Sequence, residues 1–285
     1  MKLRVTHLTR YEYAQPVAFA PHRLYLRPRE TPLVRILRFA VNLEPASRVI
    51  WIRDEQDNPL GLAYCWDRSA VLSIRVECEV ETLDENPFDF ILDAHAVQFP
   101  FSYLPTERFA LLPYLAPPFN ETQSRLRAWL DQRYVNRPAD TVTFLTSLNQ
   151  LFYASLDYVN RADEGIQPSV QTLDNGSGSC RDFAILFIES CRTLGLAARF
   201  VSGYLFDPEA RHPDHGAMHA WAEVFLPGAG WKGFDPTHGV FCNDTYIPCA
   251  HAAQADTVNP VQGSYHSTVR VDSHLHTSVL VEKIA

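Results

Sequence analysis

The chain has 285 residues, of which 46% are hydrophobic, so it is long enough for one large domain or two modest ones. Its 33 acidic and 25 basic residues give a net charge of −8, and without a basic run this argues against nucleic acid as a partner. No apolar stretch approaches the roughly 20 residues of a membrane helix, and the first residues show no apolar signal segment. We therefore expect a cytoplasmic protein without a membrane partner.

Residues 1–85 are predicted to form an antiparallel all-β domain. Apolar and polar residues alternate in IRVECEVE at 74–81, and DNPLG at 57–61 is typical of a turn between strands. Period-two patterning with one polar face favours an antiparallel sheet or a small sandwich.

Residues 86–119 are predicted to form an ordered connector. Six of the twenty prolines fall in this segment, among short aromatic pieces such as FPFSYLP at 99–105. Regular structure does not persist through prolines at this spacing. The apolar content is high for a disordered linker, so we expect the segment to pack on one or both flanking domains.

Residues 120–285 are predicted to form a core domain, which begins with two helices. NETQ at 120–123 resembles a capping box ahead of the first helix, and a second helix is expected after Asp140. Apolar residues recur three or four positions apart in both, at Leu126, Trp129, Leu130 and Tyr134 and at Phe144, Leu145, Leu148, Leu151 and Phe152.

The six cysteines are predicted to be reduced thiols, because their spacing shows neither a disulfide framework nor a C-x-x-C pair. Cys65 and Cys78 lie in strand-like runs and Cys191 on the apolar face of a helix, so each is interpreted as a small buried hydrophobic residue. Cys180 differs, because GSGSCRDF at 176–183 places it where a glycine- and serine-rich loop enters a helix.

A cysteine at a helix start is a candidate nucleophile. Unpaired backbone N–H groups and the positive end of the helix dipole favour thiolate over thiol, and the N–H of Cys180 could bind an oxyanion. Taken alone, the serines of this loop could equally be caps and its glycines turn formers.

A predicted β-hairpin supplies a base and a carboxylate. Strands at 219–226 and 231–235 are joined by PGAG at 227–230. If Phe225 lies opposite Trp231, then His219 and Asp235 share one face and can meet diagonally, whereas a one-residue slip would separate them. His219 would then be the general base of Cys180, and Asp235 would orient its imidazole.

The region from about 144 to 239 resembles the transglutaminase-like superfamily, a branch of the papain-like cysteine proteinase fold. The resemblance is carried by GSCRDF at 178–183, HAWAEV at 219–224 and DPT at 235–237. It implies an α+β core of helices packed on an antiparallel sheet, with Cys180, His219 and Asp235 as the catalytic triad. The N-terminal region is similar to the β domain that precedes this core in many bacterial members. This chain departs from the family at His238, where many members have Asn, and at Met218, where Gly is common.

The resemblance implies an enzyme that attacks an amide carbonyl with a thiolate. We expect hydrolysis of a peptide or amide, as in a cysteine peptidase or amidase, with transfer to an amine by a protein-glutamine gamma-glutamyltransferase as the alternative. No cofactor is expected, and without a calcium-loop pattern no metal is expected either. The second donor to the oxyanion stays open among Gln171, Tyr153 and Tyr158.

Two other classes of protein are alternatives to the enzyme. His212, His215 and His219 could chelate zinc, but Pro213 and Gly216 make this segment a loop without the spacing of a known zinc motif. A non-catalytic interaction module that kept the fold is the other alternative, and the presence of all three catalytic residue types argues against it.

Overall fold

The computed structural model describes residues 1–83, 85–161, 165–208 and 218–285, and within these ranges the chain is an α+β protein. This confirms the predicted fold class. An N-terminal β region precedes a core in which helices pack on an antiparallel sheet.

The N-terminal region is built from six strands in two facing sheets. The strands are β1 (Lys2–Phe19), β2 (His22–Leu24), β3 (Val34–Glu44), β4 (Ser47–Arg53), β5 (Pro59–Cys65) and β6 (Ser69–Thr82). β1, β6 and β3 are adjacent in one sheet, and β2, β5 and β4 in the other. The alternation predicted along β6 is confirmed, since Ile74, Val76, Cys78 and Val80 are buried.

The proline-rich segment 86–119 packs on the core. It contains a 3₁₀ turn (Ala94–Ala96) and two short helices, α1 (Pro105–Ala110) and α2 (Leu112–Leu115), each with a proline in its first two positions, where a missing N–H costs nothing. The ring of Phe99 stacks on that of Phe144 with 3.8 Å between centroids. The Tyr103 hydroxyl donates to the carbonyl of Phe225 at 2.8 Å.

In its described residues, the core contains four α-helices and a five-stranded antiparallel sheet. The helices are α3 (Asn120–Arg133), α4 (Thr141–Ser155), α5 (Ser169–Asn175) and α6 (Cys180–Thr193). A two-stranded parallel pair, β7 (Asp157–Tyr158) and β8 (Ser177–Gly178), precedes α6. The sheet has the order β12 (Val240–Phe241), β11 (Gly230–Asp235), β10 (His219–Leu226), β9 (Ala198–Leu205) and β13 (Tyr246–Ala252).

The first two core helices form where the apolar spacing predicts them, although one cap differs. Leu126 and Leu130 are fully buried on α3, and Asp140 caps α4 by accepting the N–H of Thr143 at 2.8 Å. The predicted capping box at 120–123 is wrong. Phe119 is the extended residue at the N-cap position, so Asn120 already lies in the first turn of α3.

The last strands return to the N-terminal region instead of extending the core. β14 (Val261–Gln262) pairs with β2, while β15 (Tyr265–His266) and β16 (Ser273–Ile284) pair with β1. The predicted core segment 120–285 therefore shares its last part with the β region. β16 covers an edge of β1 that would otherwise leave a long row of backbone groups unpaired.

The β region and the core share one buried cluster. Leu3 and Cys78 from the β region pack with Tyr204, Ile247 and Cys249 from the core sheet. Hydrogen bonds cross the same junction, since the Tyr204 hydroxyl donates to the carbonyl of Leu26 at 3.2 Å. Among the helices of the described residues, none is long and apolar enough to cross a membrane.

Candidate active site

Cys180 is the first residue of α6 and is half-buried. Its position confirms the predicted helix start. A backbone N–H in the first turn of a helix has no partner within the helix, so the amide of Cys180 is available to an oxyanion. The apolar face of α6, including the fully buried Phe187 and Cys191, holds the helix in the core.

The turn before Cys180 is organised around the buried carboxylate of Asp182. Asp182 accepts the backbone N–H and the hydroxyl of Ser179, both at 2.8 Å, and the N–H of Gln167 at 2.7 Å. Arg161 forms a salt bridge with it at 2.8 Å. Burial alone would raise the pKa of Asp182, but these partners hold it below its usual value. The role of Asp182 was missed, although Ser179 followed three residues later by an acid is a capping signal.

The predicted hairpin is present, and its register is the one that the triad hypothesis requires, because Phe225 lies opposite Trp231. His219 at the start of β10 and Asp235 at the end of β11 therefore lie on the same face. The Nε2 of His219 is 2.7 Å from the Oδ2 of Asp235. This bond fixes Nε2–H as the donor and leaves Nδ1 of His219 to face the thiol of Cys180, to which His219 is also hydrogen-bonded.

A glycine opposite His219 allows the sheet to pack closely at this point. Gly203 pairs with His219 in the β9–β10 ladder. A Cβ at this position would lie 2.2 Å from the carbonyl oxygen of Ile247 and 2.6 Å from the Trp221 ring. The Trp221 ring lies nearly parallel to that of His219, with 6.3 Å between centroids. The absence of a side chain at Gly203 thus leaves room for the indole beside the imidazole.

The carboxylate of Asp235 accepts more hydrogen bonds than the sequence indicated. Besides His219, its Oδ2 accepts the Tyr246 hydroxyl at 2.8 Å and the Nδ1–H of His238 at 2.7 Å, and its Oδ1 accepts the N–H of Thr237 at 2.8 Å. Sequence reasoning missed Tyr246, which comes from β13. It noted His238 only as a departure from the family.

These contacts shift the ionisation of all three residues. Burial alone would raise the pKa of the Cys180 thiol, but the hydrogen bond and charge of His219 and the Ala220 N–H lower it. Burial alone would lower the pKa of His219, but Asp235 raises it to about 10. Asp235 is fully buried, which would raise its pKa, yet His219 and His238 hold it well below its usual range. The arrangement favours a thiolate paired with an imidazolium.

The three candidates for the second oxyanion donor lie in different places. Tyr158 lies on β7, opposite Gly178, and its pKa is raised by burial and by the nearby charge of Cys180. The ring of Tyr153 lies against Gly239 instead, and Gln171 is exposed on α5. Of the three, Tyr158 is the residue whose pKa is influenced by the charge of Cys180.

His219, Asp235 and His238 also place three potential metal ligands within 4.8 Å of one another. However, both imidazole nitrogens lie 2.7 Å from the same carboxylate oxygen. Ligand atoms around tetrahedral zinc are farther apart, at about 3.3 Å. The spacing therefore fits hydrogen bonds. His212 and His215, from the zinc alternative, lie outside the described residues.

Two family models match the chain. Residues 129–236 match the Transglutaminase-like superfamily, and residues 3–81 match the Bacterial transglutaminase-like N-terminal region. Similar sequences include an uncharacterized protein of Mycobacterium leprae, 24% identical over 269 residues and covering 93% of both chains. An uncharacterized protein of Mycobacterium bovis is 28% identical over 280 residues, covering 92% of this chain and 87% of the relative.

A solved structure shares the whole fold. It is the crystal structure of a "putative cysteine protease" from Cytophaga hutchinsonii, with a TM-score of 0.72 and 17% sequence identity. The match covers 100% of this chain and 92% of the other. The N-terminal β region and the core therefore occur together in that protein in the same arrangement.

Proposed function

We propose that this chain, which belongs to the transglutaminase-like superfamily, catalyses thiol-dependent acyl transfer on a peptide or amide, with hydrolysis as its reaction. The observation that carries the proposal is the chain of contacts from Cys180 through His219 to Asp235, with 2.7 Å between the imidazole and the carboxylate. A thiol held in this way is ionised at a pH where an ordinary cysteine is not.

In the proposed reaction the Cys180 thiolate attacks the amide carbonyl carbon and forms a tetrahedral intermediate. The amide N–H of Cys180 stabilises the oxyanion. His219 then gives its Nδ1 proton to the leaving nitrogen as the C–N bond breaks, and an acyl-enzyme remains. A water molecule, deprotonated by His219, attacks the thioester and releases the acid, and the proton restores the imidazolium beside the thiolate. Asp235 keeps the imidazole oriented and stabilises its charged form.

Water is favoured as the acceptor because the site is partly open. Cys180 is half-buried, and the side chain of His238 is 44% exposed. A site that favours an amine has to exclude water or bind the amine in place. Transfer to an amine remains the alternative reaction of the same acyl-enzyme.

The test is to incubate the protein with glutamine-containing peptides, with and without a primary amine, and to measure ammonia, new amide bonds and cleavage products. Free acid without a requirement for amine supports hydrolysis, whereas amine-dependent amide bonds support the alternative. Cys180→Ala is expected to abolish either activity. Cys65→Ala is the matched control, because Cys65 is the other half-buried cysteine and lies in the N-terminal region.

Alkylation by iodoacetamide separates an enzyme from an interaction module without knowledge of the substrate. At neutral pH we expect Cys180 to react faster than Cys65, with both rates read from the same sample by peptide mass spectrometry. Equal rates at the two residues would contradict the proposed thiolate and favour the module.

A further inference from the structure

Asp235 Oδ2 is a point where three side chains converge. It accepts hydrogen bonds from His219 at 2.7 Å, from His238 at 2.7 Å and from Tyr246 at 2.8 Å. Asp235 is fully buried, whereas the side chain of His238 is 44% exposed. His238 therefore lies between the carboxylate and solvent, while Tyr246, which is buried, approaches from β13.

We propose that His238 is a positioning residue, whose Nδ1–H holds the Asp235 carboxylate toward His219 and keeps water from it. This inference rests on the proposed function, because it concerns the same triad. It assigns a role to a residue at which the chain departs from the family resemblance.

The loop that carries His238 is fixed on both sides of it. The side-chain amide of Asn149, buried on α4, donates to the carbonyls of Asp235 at 3.2 Å and Val240 at 3.0 Å. Gly239 has a φ of 68°, and a Cβ there would lie 2.9 Å from the Tyr153 ring. The imidazole of His238 is thus presented to Asp235 by a constrained backbone, which makes its hydrogen bond to the carboxylate directional.

Loss of this donor would weaken the ion pair at Cys180. Without the imidazole of His238, water can reach Oδ2 and compete for the carboxylate, and the higher local dielectric weakens its attraction for the His219 imidazolium. A less stabilised imidazolium in turn stabilises the Cys180 thiolate less. The effect of His238 therefore passes through Asp235 and His219 to the sulfur.

Three substitutions distinguish the hydrogen bond that His238 donates to Asp235 from the mere shielding of Asp235 from water by its ring. His238→Asn keeps a donor, His238→Phe keeps a ring without a donor, and His238→Ala removes both. We expect Ala and Phe to lower kcat about tenfold with little change in KM, as for loss of a hydrogen bond to a charged group, and Asn to stay within about threefold of the wild type. His274→Ala, an exposed histidine on β16, is the control for loss of an imidazole.

The decisive readout is the pH dependence of iodoacetamide alkylation at Cys180, since a merely structural role would not move it. The midpoint is expected to rise in His238→Ala and His238→Phe and to stay near the wild-type value in His238→Asn. An unchanged midpoint in the Ala variant, or a Phe variant that behaves like the wild type while Asn does not, would overturn the inference. A failure of the proposed function looks different, because Cys180 of the wild type would then itself alkylate like an ordinary thiol.

Discussion

At the scale of single residues, the ionisation of the Cys180 thiol depends on charges supplied by two other side chains. Asp235 stays ionised although it is buried. Burial alone would raise its pKa, but His219 and His238 hold the pKa well below its usual range. The carboxylate in turn raises the pKa of His219 to about 10, and the imidazolium lowers that of Cys180. The protonation of Cys180 and that of His219 are coupled, so the pH dependence belongs to the site as a whole.

We predict a bell-shaped pH dependence of the proposed acyl transfer. The reaction needs the thiolate, so the rate rises as Cys180 loses its proton below about pH 8.5, the ordinary pKa of a thiol. It also needs the imidazolium as an acid, so the rate falls as His219 loses its proton near pH 10. The measurements are kcat/KM for the upper limb and the alkylation rate of Cys180 for the lower limb.

Asp235→Asn tests whether the carboxylate charge of Asp235 sets the positions of both limbs of this pH profile. Without the carboxylate charge the imidazolium is less stable, so the upper limb should move to lower pH and the midpoint of alkylation to higher pH. If both limbs of the pH profile stay where they are in the wild type, Asp235 does not set the charges of Cys180 and His219. The encounter of His219 with Asp235 followed from the predicted hairpin only on the condition that Phe225 lies opposite Trp231, and the structure fulfils that condition. The contact of Tyr246 was not, since it depends on how β13 joins β9.

At the scale of elements, the start of α6 depends on Asp182. Its carboxylate joins the turn at Ser179 to Gln167 and Arg161, which come from the preceding segment. Removing one partner of a buried ion pair leaves the other charge uncompensated. Asp182→Ala is therefore expected to lower the free energy of unfolding by about 3–5 kcal/mol. Urea denaturation followed by circular dichroism measures this change.

The pH dependence of stability identifies this contribution. The pKa of Asp182 is lowered in the folded state, so its stabilisation is present above its ordinary pKa of about 3.9 and is lost as the pH falls through the folded value. The wild type should thus lose more stability on acidification than Asp182→Ala. Asp174→Ala is the control, since Asp174 forms an exposed salt bridge with Arg125 and should cost less than about 1 kcal/mol. Equal losses in the two variants would contradict the role of Asp182.

Elements defined by local patterns were predictable, whereas details of their ends were less so. The apolar face of α6 and the stop at Gly195, which has a φ of 86°, follow from helical spacing and from the freedom of glycine in the left-handed region. The cap of α3 was predicted one residue too late, because the extended backbone after the prolines ends at Phe119. A cap depends on the backbone angles of one residue, and its side chain alone does not determine them.

At the scale of the whole molecule, the C-terminal strand joins the two parts of the protein. β16 pairs with β1 from Lys2 opposite Ile284 to Tyr13 opposite Ser273. Neither this strand nor its partner was predicted from the sequence, because pairing across nearly the whole chain leaves no local signal. The prediction of 120–285 as one core therefore did not include this return to the β region.

A pair of neighbouring substitutions on β16 tests whether the β region and the core unfold together. Val279 is 7% exposed and packs in the cluster shared with Tyr204 and Ile247, whereas Leu280, next to it, is 37% exposed. Val279→Ala removes buried apolar surface and leaves a cavity, so we expect a loss of about 2 kcal/mol. Leu280→Ala should change stability by less than about 0.5 kcal/mol.

Urea unfolding of these variants also shows whether the β region and the core unfold in one transition or in two. Tryptophans lie in both parts of the chain, at Trp51 in β4 and at Trp221 and Trp231 in the core sheet. If the shared cluster couples the two parts, fluorescence and circular dichroism should give coincident urea transitions, and Val279→Ala should shift both. Two separated transitions, with only one moved by Val279→Ala, would show that the β region and the core are stable independently. A single shifted transition would instead mean that contacts made by β16 contribute to the stability of the sheet that carries His219 and Asp235.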